Sequence, residues 1–139
     1  MADRATIDAT LERYYEAWAT RDHELYRTVW AEDATFADPP TDGELSPTGF
    51  DQILAGMEAV WSRAESIVYD RHRTWHCGHS VAVHSTVTMT LTAAVAEVPL
   101  IHIFRFDSDG LVRRLEAFLD FDQVEMVSGQ RPDWMPTSS

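Results

Sequence analysis

Lysine is absent: all 11 basic residues are arginine. Schiff-base chemistry on a lysine amine, pyridoxal catalysis and the phosphate-loop motif are therefore excluded. Cysteine is nearly absent too. The single Cys77 has no partner for an internal disulfide or a C-x-x-C metal knuckle, a usage that points to a reducing, cytoplasmic compartment. The six glycines include no G-x-G-x-x-G, so the dinucleotide fingerprint is missing. No apolar run approaches the roughly 20 residues of a membrane span, and Met1-Ala2-Asp3 opens no secretory signal. Positive charge is scarce, with 11 basic against 23 acidic groups and a net charge of −12, which argues against nucleic acid and membrane surfaces as partners. What is present is a chain of 139 residues, 45% hydrophobic, long enough for one core.

The hydrophobic pattern divides the chain into a helical half and a strand half. Ile7, Leu11, Tyr14 and Trp18 recur at helical spacing and predict an amphipathic helix over 4–19. A short helix follows from Asp22 to Trp30. The β-prone run Ala34–Asp38 stops at Pro39-Pro40. A third helix opens near Ser46-Pro47, an N-cap with proline at the first helical position. From Ile67 the period becomes two: strands are predicted over 67–76, 80–92, 98–106 and 111–122, with the last pair joined by a turn at Asp107–Gly110. Helices followed by an antiparallel meander predict an α+β fold, a cone-shaped roll of three N-terminal helices on a curved, mostly antiparallel sheet. The domain is placed at 1–127, with 128–139 as a tail carrying two prolines and no period. Such a cone leaves a pocket, the default place to look for a site.

Three residues stand out as carriers of chemistry. Asp38 precedes a proline, which forces it into an extended conformation, and its neighbours Phe36, Ala37, Pro39 and Pro40 are apolar. Apolar surroundings raise a carboxylate's pKa and suit it to accepting a proton, although Asp-Pro also fits an ordinary turn. Tyr14 lies on the apolar stripe of the first helix and needs a partner for its hydroxyl, as core tyrosines do. His102 interrupts Val98-Pro-Leu-Ile-His-Ile-Phe-Arg-Phe106 on the face it shares with Leu100, Phe104 and Phe106. A buried neutral imidazole can donate to a polarised oxygen, and a structural core histidine fits the same position. His72 and His76 fall on one strand face near His79 but lack accompanying ligands, so no metal is expected. No nucleophilic serine motif is present.

Arg13-Tyr14, the run Trp30-Ala-Glu-Asp-Ala-Thr-Phe-Ala-Asp-Pro39 and the run His102-Ile-Phe-Arg-Phe-Asp-Ser-Asp-Gly-Leu111 together resemble the nuclear-transport-factor-2-like superfamily. Within it the similarity is to the ketosteroid isomerases and the SnoaL-like polyketide cyclases, and it covers most of residues 4–124. The resemblance places Tyr14 on the isomerase's oxyanion-donating tyrosine and Asp38 on its general base. His102 stands where that family has a protonated carboxylic acid, and Met57 falls where it has a supporting tyrosine, after a short insertion near Thr48.

The sequence thus predicts cofactor-independent acid–base catalysis on an apolar, carbonyl-bearing, steroid- or polyketide-like substrate, by isomerase-like proton transfer or aldol-type cyclisation. Asp38, Tyr14 and His102 are the expected catalytic group. Trp18, Trp30, Met57, Trp61, Phe104, Leu119 and Asp120 are the expected substrate-binding residues. An imidazole with the unperturbed pKa of about 6.5 predicts an acid limb to activity near that value. Two rivals are a non-catalytic binding protein with the same cone and a hydrolase or dehydratase using a His102–Asp120 pair. An epoxide hydrolase of this superfamily carries an arginine where this chain has Leu100. The resemblance implies a homodimer.

Overall fold

The computed structural model describes residues 2–37 and 47–135. Asp38, Pro39, Pro40 and Ser46 lie outside them. Helix α1 runs over Arg4–Thr20, opened by the Asp3 carboxylate, which accepts from the Thr6 N–H at 2.9 Å. It buries the predicted stripe and, beside it, Thr10, Tyr15 and Ala17. The extra buried positions follow from the packing: the helix lies in the hollow of a curved sheet and is enclosed on more than one side. Helix α2, His23–Arg27, is shorter than predicted. The backbone leaves it because the Val29 carbonyl accepts from Val112 and Trp30 already pairs with Val112 at the start of β1, Trp30–Ala37.

Helix α3 spans Phe50–Trp61, opening at Gly49 and not near Ser46-Pro47. Residues 47–49 instead run along β1: the Pro47 carbonyl accepts from Phe36, the Gly49 N–H donates to Ala34, and Thr48 bridges Thr35. Strand β2 is Ser66–Cys77, β3 Ser80–Thr90, β4 Val95–Phe106 and β5 Val112–Leu119. A tight helical turn at Phe121–Gln123 leads to β6, Glu125–Ser128. The sheet order is β1-β5-β4-β3-β2, with β6 pairing β4; among the described strands only β1 and β5 run parallel. Three N-terminal helices on a curved, mostly antiparallel sheet is the α+β architecture that the pattern predicts.

The chain end is more integrated than its composition suggests. Ser128 pairs with Val95, the Arg131 guanidinium donates to the Phe121 carbonyl, and Met135 is buried in the core. Strand β2 carries a bulge between Arg71 and Arg73, where the partner shifts from Ser85 to His84. An extra residue flips the side chains beyond it to the other face. His72 and His76 therefore do not share a face, contrary to the period-two reading. His72 bonds Thr86 at 2.8 Å on the outer side, and His76 bonds Asp8 of α1 at 2.7 Å.

Candidate active site

Strand alternation sets the floor of the site. On β4 the side chains of Val98, Leu100, His102, Phe104 and Phe106 turn inward, with Ile101 exposed between them. Helix α1 lies across this face and brings Tyr14 and Tyr15 against it. His102 is 2% exposed, and its Nδ1 lies 2.9 Å from the Tyr15 hydroxyl. The rings of Tyr14, Tyr15, Tyr69 and Phe104 all pack around the imidazole, with centroids 5.4–5.9 Å from it.

This enclosure decides the histidine's charge. Burial pushes its pKa down to about 3, so the ring is neutral near pH 7. The acid limb expected near 6.5 is thereby corrected: the unperturbed value assumes a solvated ring, and this one is buried. Burial also pushes the Tyr15 phenol above its ordinary value, with the Arg71 guanidinium working in the other direction. The phenol keeps its proton, and in the tautomer in which it donates that proton to Nδ1 the imidazole proton sits on Nε2. Nε2 has no hydrogen-bond partner among the described residues. In that tautomer His102 offers its Nε2 donor to whatever stands in front of it.

In front of it is a cavity of about 340 Å³. His102, Tyr69, Leu100 and Ala117 line its sheet side; Trp18, Phe36 and Val60 line its helix side. Toward the chain end the wall is completed by Leu119, Phe121, Val124, Trp134 and Met135. The wall is apolar apart from His102, Tyr69 and Arg63, whose exposed side chain stands at the rim. A smaller pocket of about 190 Å³ shares Trp18, Phe36 and Val60 and adds Met57.

The expected residues are therefore divided. His102, Trp18 and Leu119 line the cavity, and Met57 its side pocket. Tyr14, Trp30 and Phe104 are buried in the core behind the wall, and Trp61 packs against that core without lining the cavity. Asp120 is not paired with His102. Its carboxylate accepts from the Asp122 N–H at 2.9 Å and lines a shallow groove on the opposite sheet face. Asp38 lies outside the described residues. Tyr15, Arg63 and Trp134 are the residues that pattern reading missed. Tyr15 was recoverable from its place next to the stripe; Trp134 carried no local signal.

A family model described as a SnoaL-like domain matches residues 11–115. No curated protein matches the chain. Among solved structures, RV0760c from Mycobacterium tuberculosis is 12% identical with a TM-score of 0.79, covering 91% of this chain and 99% of its own. It has also been solved in complex with estradiol-17beta-hemisuccinate. An NTF2-like protein of unknown function from Burkholderia pseudomallei is 21% identical with a TM-score of 0.74, covering 86% of this chain and 92% of its own. TerC, co-crystallised with polyporic acid, is 18% identical with a TM-score of 0.73, covering 83% and 92%.

Proposed function

The chain belongs to the SnoaL-like domain family, and from that premise we propose that it is a cofactor-independent acid–base enzyme acting on an apolar, ring-containing carbonyl compound. The observation that carries this reading is His102: a buried, neutral imidazole held at Nδ1 by Tyr15, beside an apolar cavity; its Nε2 is proposed to carry the proton. Asp38 follows directly on β1, two residues after the cavity-lining Phe36, and is the proposed base. It takes a proton from the carbon next to the carbonyl, and the electron pair moves onto the carbonyl oxygen. His102 donates a hydrogen bond to that enolate oxygen. The cycle closes when the proton returns at another carbon, or when the enolate carbon attacks a second carbonyl and closes a ring. Tyr14, its ring edge-on to that of His102, shapes the imidazole's seat. A preorganised donor of this kind is worth about 10²–10³ in rate. The ring compounds seen with RV0760c and TerC indicate the ligand class.

The test is hydrogen–deuterium exchange next to the carbonyl of a small ring ketone, 2-tetralone, followed by NMR. Protein should accelerate it, and Asp38→Asn should remove about 10²–10⁴ of that acceleration. Exchange within a few-fold of wild type in the variant overturns the base assignment. The rival is a carrier with the same cavity, favoured by a described wall that is mostly apolar and carries no carboxylate. A catalyst prefers 2-naphthol, which resembles the enolate, to 2-tetralone; a carrier does not.

A homodimer is part of the proposal. Val68, Trp75, Ile101 and Phe118 are large apolar side chains exposed on the outer sheet face.

A further inference from the structure

Arg63 is the one charged side chain that the described residues contribute to the cavity wall. Its position is set by α3: the helix ends at Trp61, Ser62 caps it, and the Arg63 N–H donates to the Val60 carbonyl. The chain turns there, so the guanidinium stands at the rim while Val60 faces the interior. The chain end closes over it from the other side. The guanidinium carbon lies 4.8 Å from the centroid of the Trp134 ring, which orients its plane.

Arg63 forms no ion pair with any described carboxylate, as is true of several arginines of this chain; what sets it apart is that it alone among them stands on the cavity wall. An arginine pinned by an aromatic ring, facing an apolar hollow and left without an anion, is a preorganised fork for one. A neutral ligand has no use for it. With a net charge of −12 the protein repels anions in general, so an anionic ligand needs a local cation at the entrance.

We propose that the ligand carries a carboxylate, received by Arg63 at the rim, while its apolar ring body fills the cavity toward His102. This rests on the reading of the cavity as a ring-binding site and adds the ligand's charged end and its direction of entry. The acid group is held outside the apolar wall, where it stays partly hydrated, and the reacting carbonyl lies at the deep end.

The test uses a matched pair, estradiol-17beta-hemisuccinate and its methyl ester, titrated against the quenching of tryptophan fluorescence; Trp18 and Trp134 both line the cavity. In wild type the acid should bind about tenfold more tightly than the ester, and the preference should fall in high salt. Arg63→Gln should abolish the preference and leave ester affinity within about twofold, and Arg63→Lys should keep part of it. Equal binding of acid and ester in wild type, or an unchanged ratio in Arg63→Gln, overturns the assignment of Arg63 alone. Failure of both probes to bind overturns the ring-binding reading with it.

Discussion

The Tyr15 hydroxyl lies 2.9 Å from Nδ1 of His102, joining the first helix to the middle of the fourth strand inside the core. The direction of that hydrogen bond decides which imidazole nitrogen bears the proton, and so whether the cavity meets a donor or an acceptor. Replacing Tyr15 by Phe leaves Nδ1 buried without a partner. The expected cost is about 1–3 kcal/mol of stability by urea unfolding, with a loss of activity that added phenol does not restore. A variant as stable and as active as wild type would mean that the contact is incidental.

Burial of His102 also makes stability depend on pH. Its pKa is about 3 when folded, against about 6.5 in an unfolded chain, so below 6.5 the unfolded state binds more protons. Stability is then fully present above about pH 6.5 and falls on acidification, by up to about 1.4 kcal/mol per pH unit, until pH approaches the folded value. Urea midpoints at pH 7 and 5.5 measure this. His102→Gln should flatten the slope; an unchanged slope assigns it to other groups.

Glu58 supplies a second acid-sensitive tie. Arg21, in the left-handed cap of α1, and His23, at the start of α2, both bind its carboxylate on α3. The Arg21 hydrogen bond holds its pKa at about 2, below the usual carboxylate range. This contribution is present above about pH 4.5 and is lost as pH falls toward 2. Because the pair is partly exposed, Glu58→Gln should cost only about 1 kcal/mol at pH 7. The difference from wild type should vanish near pH 2, where a persistent gap would point to packing.

Gly110 closes the β4–β5 turn at φ 79°, and a Cβ there would stand 2.6 Å from the Thr6 methyl group. Its carbonyl accepts from the buried Thr10 hydroxyl at 2.7 Å. Gly110→Ala combines left-handed strain with a clash and should cost about 2 kcal/mol. Thermal unfolding checks it; a neutral substitution would show that the helix moves aside freely.

The outer sheet face gives a further expectation. If Ile101 and Phe118 are covered by a second copy, the double substitution Ile101→Glu, Phe118→Glu should convert a dimer to a monomer in sedimentation, leaving far-ultraviolet dichroism unchanged. A wild-type protein that sediments as a monomer contradicts the dimer outright.

These expectations divide according to what the sequence carries. The inward turn of His102 was readable because β4 alternates without interruption from Val98 to Phe106. The bulge at His72 was not, because one extra residue is set by pairing with β3 and leaves no mark on local composition. The neutral ring of His102 is legible in its apolar strand face, but the depth of its pKa shift is not: four rings from α1, β2 and β4 desolvate it, and only the fold assembles them. Tyr15 was passed over because a stripe at helical spacing selects a single face. A helix enclosed by a curved sheet buries a wider one. The ends of α2 and α3 moved because β1 and its neighbours took up the backbone groups that flank those helices.

The most direct test of the neutral donor at the cavity floor is the imidazole nitrogen spectrum of His102, recorded from pH 4.5 to 8 with and without 2-naphthol. The account predicts a protonated Nε2 and an unprotonated Nδ1 throughout, no titration in that range, and a downfield shift of the Nε2 proton when the phenol binds. A His102 that titrates near pH 6.5, or an Nε2 resonance indifferent to the ligand, contradicts it.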